Sequence, residues 1–145
     1  MQHLVVEYEK FLKERLPACS KAVGKTVTTS CTIMDLKNAG VTTFPKVKEY
    51  VENAMHIGQH YYPETMGKFY IINAPWVFTT VWAVVKLWLD PVTLEKIRIL
   101  GGSYQKELLE QIPSENLPQK YGGTCTCSET QGGCILSDAG PWNAA

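Results

Sequence analysis

At 145 residues the chain is long enough for one domain and too short for two. A 45% apolar, 19% charged composition excludes a disordered or low-complexity chain. Equal counts of 14 basic and 14 acidic residues lack the basic excess that a nucleic-acid partner ordinarily leaves. Five Cys, no N-x-S/T acceptor and no secretory leader point to a reduced, cytosolic protein.

Leu4, Val5, Tyr8, Phe11, Leu12 and Leu16 recur at helical spacing and predict an amphipathic helix that Pro17 stops. The β-branched run 26–34 predicts a strand, with Thr28, Ser30, Thr32 and Met34 on one face and Val27, Thr29, Cys31 and Ile33 on the other. A Gly-broken loop spans 35–41. Val47, Tyr50, Val51, Ala54, Met55 and Gly58 mark a second helix ending near Tyr61-Tyr62-Pro63. Residues 69–72 read as a buried strand, and Asn73-Ala74-Pro75 turns into an unusually apolar helix, 76–89. That run, broken by Thr79, Thr80 and Lys86, falls short of the roughly 20 apolar residues of a membrane span. Asp90 caps a further helix with Pro91 at its first position. A third strand over 97–100 leads through Gly101-Gly102 into a helix over 103–112. Beyond Pro113 the chain reads as loop, with Gly122-Gly123 and Gly132-Gly133 as turns. Strands alternating with helices predict an α/β fold with βαβ units and a parallel sheet. The chain opens directly on a helix with no strand before it, like the later part of a larger α/β domain.

No motif supplies catalysis. Gly24-Lys25-Thr26 lacks the first Gly of a phosphate-binding loop, because Cys19 stands there. Gly101-Gly102-Ser103 has the place of an anion-binding turn, yet such turns more often serve close packing. Cys125, Cys127 and Cys134 fall short of the four ligands of structural zinc, and His56 and His60 lack the Glu of a zincin helix. No metal site is expected. No nucleophile elbow is present, so no catalytic residue is expected either. On composition alone, Ser30, Thr32, Glu64 and Lys96 are surface decoration.

The run Tyr61-Tyr62-Pro63-Glu64, followed by Met66-Gly67-Lys68-Phe69-Tyr70-Ile71-Ile72-Asn73-Ala74-Pro75, closely resembles the core of the CRAL-TRIO lipid-binding family. Leu89-Asp90-Pro91-Val92-Thr93, Gly102-Ser103-Tyr104-Gln105-Lys106-Glu107-Leu108-Leu109 and Glu115-Asn116-Leu117-Pro118 with Gly122-Gly123 extend the likeness. So do Leu16-Pro17-Ala18-Cys19-Ser20 and Ser30-Cys31-Thr32-Ile33-Met34-Asp35-Leu36-Lys37. Within that family the pattern is similar to the fungal phosphatidylinositol/phosphatidylcholine transfer proteins of the Sec-fourteen group.

The resemblance implies a mixed, mostly parallel sheet with flanking helices, closed by an apolar gate helix over one phospholipid. It implies that Ser30 and Thr32 reach a phosphocholine phosphate, and that Glu64, Thr93 and Lys96 serve an inositol-phosphate headgroup. It places Trp76, Phe78, Val81, Trp82, Val85, Trp88 and Leu89 in the gate. Gly123, in the Gly122-Gly123 pair after Leu117-Pro118, is expected to be a structural glycine that needs a positive φ or a close backbone approach. The division it suggests is 1–123 as a partial lipid-binding domain, with 124–145 as a Cys-rich tail. The family's N-terminal region is missing from the sequence, so the short chain alone is expected to transfer lipid poorly. The expected role is non-enzymatic phospholipid exchange that supports phosphoinositide synthesis and Golgi secretion. The expected partners are phospholipid, a transient membrane surface and phosphoinositide kinases, with no cofactor and no nucleic acid. The location implied is cytoplasmic and peripheral at Golgi membranes. The alternatives are a sensor or adaptor for another hydrophobic ligand such as a sterol, and more weakly a small hydrolase.

Overall fold

The computed structural model describes residues 2–39 and 44–143. Gly40 and Val41 of the predicted loop, and the side chains of Val47, Tyr50 and Val51 on the second helix, lie outside the described residues. The chain forms two compact units, Met1–Gly102 and Ser103–Ala145.

The first unit opens with helix α1 (Gln2–Lys10), a π-helical turn (Phe11–Arg15) and α2 (Leu16–Val23), one continuous helical stretch. Pro17 therefore does not stop the helix as predicted. A mid-helix proline costs a hydrogen bond and clashes with the carbonyl four residues back. Here the backbone widens instead, so that the Leu16 N–H reaches the Phe11 carbonyl and Pro17 falls in the first turn of a fresh α segment. Gly24, at φ 68°, ends the helix in the left-handed region that favours glycine.

Strand β1 (Ser30–Asp35) starts four residues later than the β-branched run suggests. The Val27 N–H is already bonded by the Ser20 hydroxyl at 2.9 Å, and the ladder to the next strand begins only at Ser30. Helix α3 (Phe44–Tyr61) crosses to β2 (Met66–Ile72), which begins three residues before the predicted strand because Met66 pairs with Ser30. Helix α4 (Phe78–Val85), a 3-10 turn (Lys86–Trp88) and α5 (Pro91–Lys96) then lead to β3 (Ile97–Ile99). Leu100 lies just past that strand yet still donates to the Ile71 carbonyl at 2.8 Å.

The sheet order is β1-β2-β3, and both pairings are parallel. Central β2 carries the core, with Tyr70, Ile71 and Ile72 buried, as a parallel strand covered on both faces requires. The Asn73 amide donates to Asp35 at 2.8 Å and ties the ends of β1 and β2 together. Tyr62 stacks on Tyr8 at 4.4 Å and donates to Glu9 at 2.8 Å, joining the end of α3 to α1.

The predicted helix over 76–89 is shorter and ends in a tighter coil. Proline disfavours helical backbone in the residue before it, and Asp90 is extended (φ −69°, ψ 155°). Leu89 is extended as well, so the α-helix narrows to 3-10 and stops. Asp90 then caps α5 as expected, accepting from the Thr93 N–H at 2.9 Å.

In the second unit α6 covers Gln105–Gln111, within the predicted 103–112. The segment after Pro113, predicted as loop, holds 3-10 turns at Ser114–Asn116, Gln119–Tyr121 and Pro141–Asn143, and the short α7 (Gly133–Leu136). Tyr104, Leu108 and Leu117 are buried. Gly122 is left-handed at φ 98°. Gly123 answers a different need: a Cβ built there would stand 1.9 Å from the Leu117 carbonyl oxygen, closer than any real contact. Gly101 and Gly102 meet nothing within 4 Å, so close packing does not explain them.

Candidate functional site: an apolar cavity with a polar rim

Helix α4 lies over one face of the sheet and leaves a cavity of about 110 Å³ between them. The sheet supplies Met34 from β1, Met66, Phe69 and Ile71 from β2 and Ile97 from β3, with Leu36 just past β1. The helix supplies Phe78, Val81, Trp82 and Val85, Leu89 follows after the 3-10 turn, and Met55 comes from α3. Every one of these side chains is apolar, three are methionines, and such a wall accepts hydrocarbon of irregular shape.

Five of the seven predicted gate residues (Phe78, Val81, Trp82, Val85 and Leu89) line this cavity. Trp76 and Trp88 do not. Trp76 precedes α4 and is 85% exposed, and Trp88, on the 3-10 turn, is also exposed. With Val84 and Leu87, the latter 75% exposed, they give the outer side of the segment an apolar surface of its own. Sequence reasoning missed the seven lining residues outside the gate, Met34, Leu36, Met55 and Met66 among them. Strand alternation held the signal for Met34, which shares a face with Ser30 and Thr32.

The polar residues gather at the end of the sheet where its parallel strands begin. Ser30 opens β1; its N–H donates to the Thr65 carbonyl at 2.9 Å and its hydroxyl leans toward the same oxygen at 3.4 Å. Thr32 stands in register with Phe69, and Phe69 with Ile97. Two strand spacings of about 4.8 Å therefore put Thr32 roughly 10 Å from the start of β3, where Lys96 precedes it.

Glu64 occupies the turn before β2 at φ 61°, left-handed for a residue with a Cβ. Its carboxylate is 87% exposed and lies 3.8 Å from the Lys96 Nζ, whose side chain is 24% exposed. Thr93, three residues before Lys96 on α5, donates its hydroxyl to Asp90 at 2.6 Å. That hydroxyl and the Thr93 amide hold the Asp90 carboxyl below its usual pKa. Thr93 thus fixes the start of the helix whose last residue is Lys96. Lys96 immediately precedes the lining residue Ile97, and Glu64 stands two residues before the lining residue Met66; with the hydroxyls of β1 they make a set suited to an amphiphile with a phosphorylated polar end.

The remaining sequence candidates lie elsewhere. His56 and His60 stack at 4.2 Å on the exposed side of α3. Cys125, Cys127 and Cys134 come together within the second unit.

Residues 1–123 match the family model of the CRAL/TRIO domain. The SEC14 cytosolic factor of Kluyveromyces lactis is 57% identical over 142 residues, 98% of this chain and 47% of that protein. The Sec14 cytosolic factor of Schizosaccharomyces pombe is 54% identical over 99% of this chain and 49% of that protein. A phosphatidylinositol/phosphatidylcholine transfer protein of Arabidopsis thaliana, SFH7, is 44% identical over 96% of this chain and 25% of its own length. Among solved structures, the crystal structure of Sfh5 superposes with a TM-score of 0.54 at 27% identity, covering 67% of this chain and 33% of that one. The chain spans about half the length, or less, of the curated relatives it matches.

Proposed function

The chain belongs to the CRAL/TRIO domain family, and on that premise we propose that it carries a phospholipid, with acyl chain against the α4 cavity and headgroup at the rim. The wholly apolar wall beneath α4, with the Glu64–Lys96 pair close in sequence to its liners Met66 and Ile97, is the observation that carries this reading. Moving two acyl chains through water costs on the order of 20 kcal/mol at about 0.8 kcal/mol per methylene, so a carrier must replace the hydrocarbon around them. Relatives named as phosphatidylinositol/phosphatidylcholine transfer proteins support exchange of those two lipids as the activity, with the chain a carrier and not a catalyst.

In this reading Lys96 meets the phosphate of the anionic inositol lipid, where a full charge is useful, and Glu64 accepts from ring hydroxyls. Thr93 holds Lys96 in place. Ser30 and Thr32 offer neutral donors to the choline lipid, whose own cation offsets its phosphate. The cavity side of α4 closes over the chains, and its apolar outer side meets the bilayer. We read 1–123 as the lipid-binding portion and 124–145 as a tail. A cytoplasmic location at Golgi membranes and coupling to phosphoinositide kinases complete the proposal.

Mass spectrometry of lipid co-purifying with the chain tests it. Inositol and choline phospholipids are expected. A sterol would move the assignment to a sensor or adaptor, and turnover of an ester would make the chain a hydrolase.

A further inference from the structure

The second unit holds a cluster that the lipid reading leaves unused. Cys125, Cys127 and Cys134 place their sulfurs within 4.8 Å of one another, with Cys125 at 3.4 Å from Cys127 and 3.5 Å from Cys134. We propose that these three thiols form a binding site for a single thiophilic d10 metal ion, Zn²⁺ or Cu⁺.

The backbone is built to bring them together. Cys125 is anchored on both sides, its N–H donating to Leu117 at 3.0 Å and its carbonyl accepting from Gln119 at 3.0 Å. Cys127 is left-handed at φ 47°, a conformation that non-glycine residues adopt only when their surroundings require it. Its carbonyl accepts from Thr130 at 2.9 Å, the Thr130 carbonyl accepts from Gly133 at 2.9 Å, and left-handed Gly132 and Gly133 turn the chain back. Cys134 then returns to Cys125, its thiol directed at the Cys125 carbonyl at 3.4 Å. The ten residues 125–134 are folded over to make three sulfurs meet.

The sulfur spacing suits coordination. Four thiolates at 2.3 Å from a tetrahedral zinc stand about 3.8 Å apart, and the Cys125–Cys127 and Cys125–Cys134 pairs, at 3.4 and 3.5 Å, lie slightly inside that value. A disulfide would draw one pair to about 2.05 Å and leave the third thiol over. All three cysteines are free in this structure. The sequence expectation of no metal rested on a count of four protein ligands. Three converging thiolates satisfy a trigonal Cu⁺ outright, and leave a tetrahedral Zn²⁺ one position for water or an outside ligand. A thiol binds a metal as the thiolate, so metal entry displaces protons and affinity should fall with acidity.

The test is titration of the reduced full chain with Co²⁺ as a spectroscopic probe, then with Zn²⁺ and Cu⁺ in separate arms. One ion per chain is expected, with thiolate-to-cobalt charge-transfer absorption that Zn²⁺ displaces. Saturation by Cu⁺ and not Zn²⁺ would identify the trigonal form. Cys134→Ser should weaken binding by more than the 10- to 100-fold typical of losing a supporting hydrogen bond at a metal site. Cys19→Ser, outside the cluster, should leave binding unchanged. Alkylation of the native chain followed by mass spectrometry gives a readout that needs no variant: metal should shield Cys125, Cys127 and Cys134 while exposed Cys31 reacts. Equal titrations of the two variants, no saturation in either arm, or unshielded cluster thiols would overturn the proposal.

Discussion

The Ser30 N–H donates to the carbonyl of Thr65, the residue after Glu64, at 2.9 Å. One backbone hydrogen bond thus joins the strand that bears Ser30 and Thr32 to the turn that bears Glu64. Glu64 in turn faces Lys96 at 3.8 Å. On the proposed assignment the residues for the two headgroups lie on directly joined elements, so the two lipids are expected to compete and never to bind together.

Lys96→Ala is expected to weaken inositol-lipid binding by about 10- to 150-fold, the effect of losing a charge-assisted hydrogen bond of about 1.5–3 kcal/mol. Choline-lipid binding should change little. The double variant Ser30→Ala with Thr32→Val should do the reverse. Competitive binding with both lipids decides, and equal losses for both from Lys96→Ala would reduce that residue to a structural one.

Gly123→Asp should destabilise the second unit by more than about 3 kcal/mol, because the neighbour that a Cβ would strike is backbone and cannot turn aside. Gly101→Ala, where nothing lies within 4 Å, should stay within about 0.5 kcal/mol of the parent. Thermal unfolding of the two variants separates steric need from plain loop chemistry. Equal melting temperatures would remove the close approach from the account.

The inner and outer sides of the gate segment should fail differently. Val85→Ala opens space beside the cavity and should cost about 1–3 kcal/mol of stability. Leu87→Asp and Trp76→Ser change exposed side chains, so they should leave unfolding unmoved while reducing vesicle association more than tenfold. Vesicle co-sedimentation checks the second pair. Undiminished association there would show that the outer side does not meet a bilayer.

Asp90→Ala should shorten α5 and lower the melting temperature modestly at neutral pH. Because the folded carboxyl titrates below its usual 3.8, its contribution is present above that value and lost as pH falls through the folded pKa. The difference between parent and variant should therefore close in acid. Circular dichroism against pH measures it; a gap undiminished by acid would argue for a role beyond the ionised cap.

Alternation of helix and strand was legible because apolar spacing differs between the two, and the parallel order of β1, β2 and β3 followed from the helices between them. Boundaries were less legible where backbone geometry overrode local preference. The π-helical turn at Phe11–Arg15 carried the helix past Pro17. The Ser20 hydroxyl took the Val27 amide and delayed β1, although Val27, Thr28 and Thr29 all favour extended chain. At the site, the family resemblance grouped Phe78, Val81, Trp82, Val85 and Leu89 with Trp76 and Trp88, which do not line the cavity, whereas Met55, legible only as a helix-face residue, reaches the cavity from another element. The gathering of Cys125, Cys127 and Cys134 depends on two left-handed glycines, which spacing alone does not reveal.

Glu64 keeps a left-handed backbone that glycine would adopt without a Cβ penalty. In a library randomised at this position, selection for heat resistance alone should therefore enrich glycine. Under the proposed headgroup role, selection for headgroup capture should restore glutamate, whose carboxylate faces Lys96. In that role, the turn before β2 is a place where stability and ligand capture pull one residue in opposite directions.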